Sequence, residues 1–264
     1  MSTPSLYDDL AAAVRADQPV ALATVIAGPG AGGKLLARPG LAWVGTLGDP
    51  DLDRVVARDA LGELAAGTSA VRHYGEHGEA REAVVAVFVE SFAPPPRMLV
   101  FGAVDFTAAL VKVAKVLGYR VTVCDAREVF ATRARFPQAD EVVVDWPDRL
   151  LGQVGPSLTT RDVVCVLTHD AKFDVPAVVA ALKTDVGYIG AMGSRRTHAD
   201  RVKRLLEAGV DHAALGRIRA PVGLDIGART PEETAVSICA EIIAHRTGRA
   251  DARPLRDTEG PIHH

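Results

Sequence analysis

The sequence predicts an α/β protein: a Rossmann-like, doubly wound parallel sheet preceded by a smaller α+β domain. Three observations predict it. Residues 98–127 (MLVFGAVDFTAALVKVAKVLGYRVTVCDAR) read as strand, glycine turn, helix and strand, with an acid at the tip of the second strand. Strand-like and helix-like segments alternate from there to about residue 247, the rhythm of a parallel sheet covered on both faces. Before residue 97 that rhythm is missing, and Pro94-Pro95-Pro96 separates the two regions. A triple proline continues neither a ladder nor a helix, so it marks the boundary. The expected domains are 1–93, 97–247 and a loose polar tail over 248–264.

Composition sets bounds on function. The chain has 264 residues, 48% hydrophobic and 24% charged, with a net charge of −3. That is enough chain for a substantial core and an ordinary globular balance. A weakly acidic total provides no global field for nucleic acid, so none is expected as a partner. No apolar run approaches the roughly 18 residues of a membrane span, and the first ten residues lack a basic-then-apolar leader. The expected location is cytoplasmic. Cys124 and Cys165 fall in predicted strands and Cys239 in a predicted helix, without paired spacing, which makes them reduced core residues.

In the first region, residues 6–14 predict a helix and 20–27 a strand. Gly28 to Gly33 must form a turn, and 34–37 with 41–44 predict a hairpin. Leu52, Val55, Val56 and Leu64 fit a helix opened by Asp49, Asp51 and Asp53, where negative charge suits the N-terminus. Residues 83–92 predict a strand.

In the second region, 98–101 form the first strand, ending at Gly102. Phe106, Ala109, Leu110, Val113 and Leu117 recur at helical spacing, with Gly118 as terminator, and 121–124 form the second strand. Residues 141–145 and 162–167 give the third and fourth strands. A short helix over 175–182, a strand over 186–189 and a turn over 190–193 follow. The next helix carries Val202, Leu205 and Leu206. The last begins at Thr230-Pro231-Glu232-Glu233, with Thr as cap, Pro at the first position and Glu completing a capping box.

In such a fold the ligand crevice lies beyond the strand ends where the strand order reverses, between the first and fourth strands. That places Gly102 and the tip Thr168-His169-Asp170 in one crevice. Gly102 and the helix start after it suit a phosphate. Asp105 opposes this, since a carboxylate about 4 Å from a phosphate costs about 4 kcal/mol per charge pair. Its alternative role is N-cap of that helix. Asp125 could accept from a ribose and Arg127 could stack on a base or neutralise a phosphate; the alternative is an exposed ion pair. His169 offers an acid–base group or an anion donor. Gly190, Gly193, Ser194, Arg195 and Arg196 form the other strong candidate: glycines for close approach, a hydroxyl donor, and two guanidinium groups ahead of a helix. Gly223 and Asp225 sit in the loop PVGLDIGAR, suited to a ligand or a contact between protomers. No paired Cys or second His accompanies His169 at metal-ligand spacing, and Gly75 and Gly78 argue against a helix presenting His73 and His77 on one face, so no zinc site is expected.

These motifs, LVFGA, VTVCDAR, Arg135-Phe136-Pro137 with Ala139-Asp140, VLTHD, GYIGAMGSRRT and RIRAPVGLDIGARTPEETAVSICAEIIAHRTG, resemble the Rossmann-type domain of the XdhC/CoxI family over about 150 residues. The first 92 residues are similar to that family's smaller N-terminal domain. The resemblance implies an accessory protein that binds molybdenum cofactor (molybdopterin), assists its sulfuration and delivers it to a xanthine dehydrogenase or CO dehydrogenase-type molybdenum hydroxylase. It further implies a sulfur donor such as a cysteine desulfurase as partner, and a homodimer. The crevice of the Rossmann-type domain is then expected to face the N-terminal domain. The chain departs from the pattern at three places. The family's Gly-x-Gly-His turn is Gly102, Val104 and Asp105. The Gly-Gly-Gly-Cys-x-Glu element becomes Gly48-Asp49-Pro50-Asp51-Leu52-Asp53, with Asp51 in place of the cysteine. Gly28 to Gly33 replaces a Gly-Ser-x-Pro-Arg loop ahead of Lys34. Two other functions compete: an NAD(P)-dependent oxidoreductase, with Asp125 favouring NAD, and a protein holding a nucleotide as a regulatory ligand.

Overall fold

The computed structural model describes residues 5–80, 82–168, 170–249 and 252–259, and divides into two compact units, Met1–Pro94 and Pro95–His264.

The first unit is an antiparallel sheet with one helix on each face. Helix α1 (Leu6–Arg15) precedes strands β1 (Val20–Ala27), β2 (Lys34–Ala37) and β3 (Val44–Thr46); α2 (Pro50–Ala66), β4 (Ala70–Tyr74) and β5 (Val85–Phe92) follow. The strand order is β3-β2-β1-β5-β4. Leu52, Val56, Ala60 and Leu64 of α2 pack on Val25, Leu35 and Val87. Ala13, Leu6 and Leu10 of α1 cover Val20, Leu22 and Leu36 on the opposite face. Period-2 alternation in β1 and β5 serves these two layers.

Two features differ from expectation. The second hairpin strand is Val44–Thr46, not 41–44, with Leu36 opposite Val44 and Lys34 opposite Thr46. Gly40, at φ 72°, turns the chain, and Leu41 and Trp43 remain in the connection. Strand β4 has no counterpart in the sequence reading. It is an edge strand with an exposed centre, Val71 to His73, so it carries no hydrophobic alternation to detect.

The second unit is a six-stranded parallel sheet. In chain order come β6 (Arg97–Phe101), α3 (Asp105–Val116), β7 (Arg120–Cys124), β8 (Glu141–Val143), α4 (Pro147–Val154) and β9 (Val163–Val166). Then follow α5 (Ala171–Leu182), β10 (Tyr188–Ala191), α6 (Arg195–Glu207), α7 (His212–Leu215), β11 (Ile218–Arg219) and α8 (Pro231–Arg246). The order β11-β10-β9-β6-β7-β8 is the doubly wound one. Helices α3 and α8 cover one face through Leu110, Ala114, Ile238 and Ile242. Helices α4, α5 and α6 cover the other through Leu151, Ala177, Val178 and Leu205. The strands read as continuous apolar runs because both faces are buried.

The capping box at Thr230 and Glu233 forms as its spacing predicts, and Gly118, at φ 82°, follows the end of α3. Strand β10 is shifted by two residues from the expected 186–189, and Gly190 and Ala191 belong to it rather than to a turn. A Cβ on Gly190 would stand 2.6 Å from Val222 Cγ2 and 2.8 Å from the Tyr188 ring. Packing, not turning, selects glycine there. Helices α4 and α7 and strand β11 are too short for a period to show in the sequence.

Candidate functional site

The parallel sheet brings the ends of β6, β7, β9, β10 and β11 to one edge, with the order reversing between β6 and β9. Gly102, Asp125, Thr168, Gly193 and Gly223 all lie just past these strand ends.

Gly102 has φ 111°, and its N–H donates to the Cys124 carbonyl at 2.9 Å. A Cβ would lie 2.8 Å from the Thr168 N, so the tips of β6 and β9 abut through this glycine. Thr168 is buried and its Oγ1 accepts from Asp170 N at 3.2 Å. Asp170 caps α5 by accepting from Lys172 N at 3.1 Å, and it is 3.5 Å from Lys172 Nζ. His169 lies outside the described residues.

Asp105 does not cap α3. The N-cap is Val104, without a side-chain bond; Asp105 is the first helical residue, 90% exposed and 3.4 Å from Arg135 Nη2. The carboxylate thus adds to the helix dipole from N1 while its charge is met by Arg135.

Asp125 is buried rather than half of an exposed pair. Its Oδ1 accepts from Arg127 N at 3.0 Å and Arg127 Nε at 2.9 Å. Its Oδ2 accepts from Ala103 N at 2.8 Å and Arg127 Nη2 at 2.7 Å. Two donors on each oxygen fill the roughly four acceptor positions of a carboxylate. Burial alone would raise its pKa. The Arg127 side chain, the Ala103 N–H and the Arg127 N–H outweigh that and hold it below the usual range. The Arg127 guanidinium lies 4.6 Å from the Phe130 ring centre and 5.9 Å from that of Phe173. Arg135 lies 5.6 Å from Phe130 and 5.5 Å from Phe136. The result is a column, Phe136, Arg135, Phe130, Arg127 and Phe173, with Trp146 4.8 Å beyond Phe173. Alternating aromatic rings and guanidinium groups attract through the ring quadrupole.

At the other end of the edge, Ser194 caps α6 by accepting from Thr197 N at 3.1 Å. Gly193 has φ 140° and a Cβ there would meet Thr197 at 2.9 Å. The first turn of α6 carries no acid. Arg195 and Arg196 are exposed in that turn and make no ion pair among the described residues. An acid-free helix start with two guanidinium groups that make no ion pair among the described residues is an anion-binding arrangement.

Two supporting elements escaped sequence reasoning. Arg201 is buried; its Nε lies 2.8 and 2.9 Å from the two Asp174 oxygens, and its Nη2 donates to Met192 O at 2.6 Å. This pair ties α6 to α5 and to the turn ahead of α6. Its place one turn before Leu205, on the apolar face, is the signal that could have revealed it. Glu241 Oε2 accepts from Tyr188 OH at 2.6 Å and Gly223 N at 2.7 Å, folding the PVGLDIGAR loop back on α8. Gly223, at φ 104°, would carry a Cβ 2.5 Å from Ser237 Oγ, so it too is a packing glycine. Asp225 is exposed. Cavities of about 540 Å³ between α4 and α5 and about 480 Å³ beside Arg72 and Tyr74 are lined by other residues.

In the first unit, the N-terminus of α2 is taken by the chain's own carboxylates. Asp49 Oδ1 accepts from Asp51 N and Leu52 N at 3.0 and 2.9 Å, and its Oδ2 lies 2.8 Å from His77 Nδ1. Buried Asp53 accepts from Leu47 N at 2.6 Å. Asp51 is exposed beside Arg54. Three carboxylates there disfavour a phosphate. All three cysteines are free and buried in the second unit. Burial pushes the Cys124 thiol up to about 12 and Cys239 to about 11, and raises Cys165 as well.

A family model described as the XdhC Rossmann domain matches residues 98–242, and one described as the XdhC and CoxI family matches residues 13–75. A protein of Bacillus subtilis (strain 168) named as a probable xanthine dehydrogenase component is 35% identical over 160 residues, 61% of this chain and 46% of that protein. The molybdenum cofactor insertion chaperone PaoD of Escherichia coli (strain K12) is 29% identical over 159 residues, 60% of this chain and 43% of that one. The chain spans less than half the length of these curated relatives. A crystal structure described as a xanthine dehydrogenase from Bacillus halodurans shares the fold: TM-score 0.55, 22% identity, 94% of this chain and 97% of that one.

Proposed function

The chain belongs to the XdhC and CoxI family, and from that premise we propose that it is an accessory protein of a molybdenum hydroxylase, carrying molybdenum cofactor as cargo. One observation carries this reading: the N-terminus of α6, acid-free, capped by Ser194 and flanked by unpaired Arg195 and Arg196, beside a sheet edge suited to ligands. The cargo is a pterin bearing a phosphate and a molybdenum centre. Its phosphate matches this donor set and mismatches the carboxylate-filled start of α2. The Arg195 and Arg196 N–H groups and the two guanidinium groups hold the phosphate; the Arg201–Asp174 pair keeps that turn in place.

With every thiol buried and poorly ionised, this chain offers no thiolate to ligate the metal or carry a persulfide. Sulfuration on this reading is done by a separate donor, such as a cysteine desulfurase, while the chain holds the cargo. The NAD(P) reading finds less support, because Asp125 has its acceptor positions filled by Arg127 and Ala103.

The test is reconstitution. Cofactor-free xanthine dehydrogenase-type hydroxylase is mixed with molybdenum cofactor, with and without this chain. Faster or higher recovery of hydroxylase activity supports the accessory role; identical recovery with equimolar chain removes it.

A further inference from the structure

We infer that Arg127 and Phe130 determine specificity by closing the nucleotide half of the carboxyl edge, so that the domain takes a short ligand with one ring system and one phosphate and refuses an adenine dinucleotide. The inference rests on the reading of that edge as the ligand site. In a doubly wound sheet, a dinucleotide lays its pyrophosphate over the first turn and its adenosine at the tip of the second strand. Here protein groups hold each of those places.

At the second-strand tip, the Asp125 oxygens are satisfied by four donors, three of them from Arg127. Arg127 in turn has aromatic rings at 4.6 and 5.9 Å, and Phe130 has guanidinium groups at 4.6 and 5.6 Å. A ribose at Asp125 must displace Arg127, and a base must compete with two guanidinium groups for the exposed Phe130 ring. At the first turn, the Ala103 N–H is consumed by Asp125 and the Ala103 carbonyl by Arg135 Nη1 at 2.9 Å. Val104 stands where a second glycine would admit a pyrophosphate, and Asp105 adds a negative charge. The opposite half of the edge has an acid-free helix start and two arginines that make no ion pair among the described residues. The tips of β7 and β10 are three strand spacings apart, about 14 Å. A ligand of one ring and one phosphate fits the open half; an adenine dinucleotide needs the closed one.

Titration with NADH, followed by its fluorescence, tests this on the full chain and on two variants, Arg127→Ala and Phe130→Ala. Phe130→Ala leaves the Asp125–Arg127 pair intact and so covers the case in which Arg127→Ala folds poorly. The wild type is expected to show no saturable binding at about millimolar NADH, and Phe130→Ala or Arg127→Ala to gain about tenfold or more in affinity. Saturable binding to the wild type at micromolar concentrations overturns the inference, as does the absence of any gain in folded variants. Pterin retention by the wild type is a separate readout. Its loss removes the reading of the edge as a cargo site and leaves the NADH comparison unchanged.

Discussion

Asp125 shows how a residue chosen from its sequence position can take a different part in the structure. Its place at the tip of the second strand was readable, because a glycine turn, a helix and a β-rich run fixed the spacing. Its saturation by Arg127 was not, since that depends on side-chain geometry two residues away. The saturation has a pH consequence. The folded pKa lies below the ordinary carboxylate value, so the stabilisation is complete above about pH 4 and is lost as pH falls through the folded pKa. Asp125→Asn should cost about 1–3 kcal/mol at pH 7. Urea unfolding of both proteins checks it: the difference should shrink as pH falls below the ordinary carboxylate value. A pH-independent difference contradicts the assignment. Arg195 and Arg196 were legible as a pair ahead of a helix, and the structure shows them exposed in its first turn. Replacing both by alanine should weaken retention of a phosphate-bearing ligand by about 10- to 100-fold, with an unchanged melting temperature. A parallel loss of fold, seen by circular dichroism, would remove the binding explanation.

Elements were legible in proportion to their length and periodicity. The antiparallel strands β1 and β5, the helices α2, α3 and α8, and the capping box of α8 follow from spacing alone. Edge strand β4 does not, because its exposed centre leaves no alternation, and α4, about two turns long, gives too few repeats to stand out. Gly190 misled for another reason. It reads as turn punctuation, yet it lies in β10 where Val222 and the Tyr188 ring leave no room for a Cβ. Gly190→Ala should therefore destabilise by about 1–3 kcal/mol through overpacking, measured by chemical denaturation. An effect below about 0.5 kcal/mol, the scale of ordinary surface changes, would refute the packing account. The loop after β11 depends on the Glu241 clamp: Tyr188 OH and Gly223 N share one carboxylate oxygen. Tyr188→Phe removes one donor, and amide hydrogen exchange at residues 222–224 should speed up while the strand amides of β9 stay protected. Uniform acceleration across the unit would show global destabilisation instead.

At the scale of the whole molecule, composition and motif order pointed to a globular α/β protein of the XdhC and CoxI family, and the family models and the doubly wound sheet agree. Among the described residues, no helix is long and apolar enough to cross a membrane. Charge is divided between the two helix starts, as the sequence indicates: carboxylates fill the start of α2, and arginines without an ion pair among the described residues lie in the first turn of α6. That division is the basis for placing the cargo on the second unit. The buried thiols give a simple corollary. Alkylating reagents should leave the three cysteines of the native chain unmodified and cargo retention unaffected, while urea-unfolded chain reacts at all three. Rapid labelling of the native chain would contradict their inert role. The central claim is tested most directly by mass spectrometry of small molecules released from the chain purified from a molybdenum-replete host. The account predicts a phosphorylated pterin on the wild type, lost from the Arg195→Ala, Arg196→Ala double variant. A wild-type chain without pterin, or a double variant that retains as much, would contradict it.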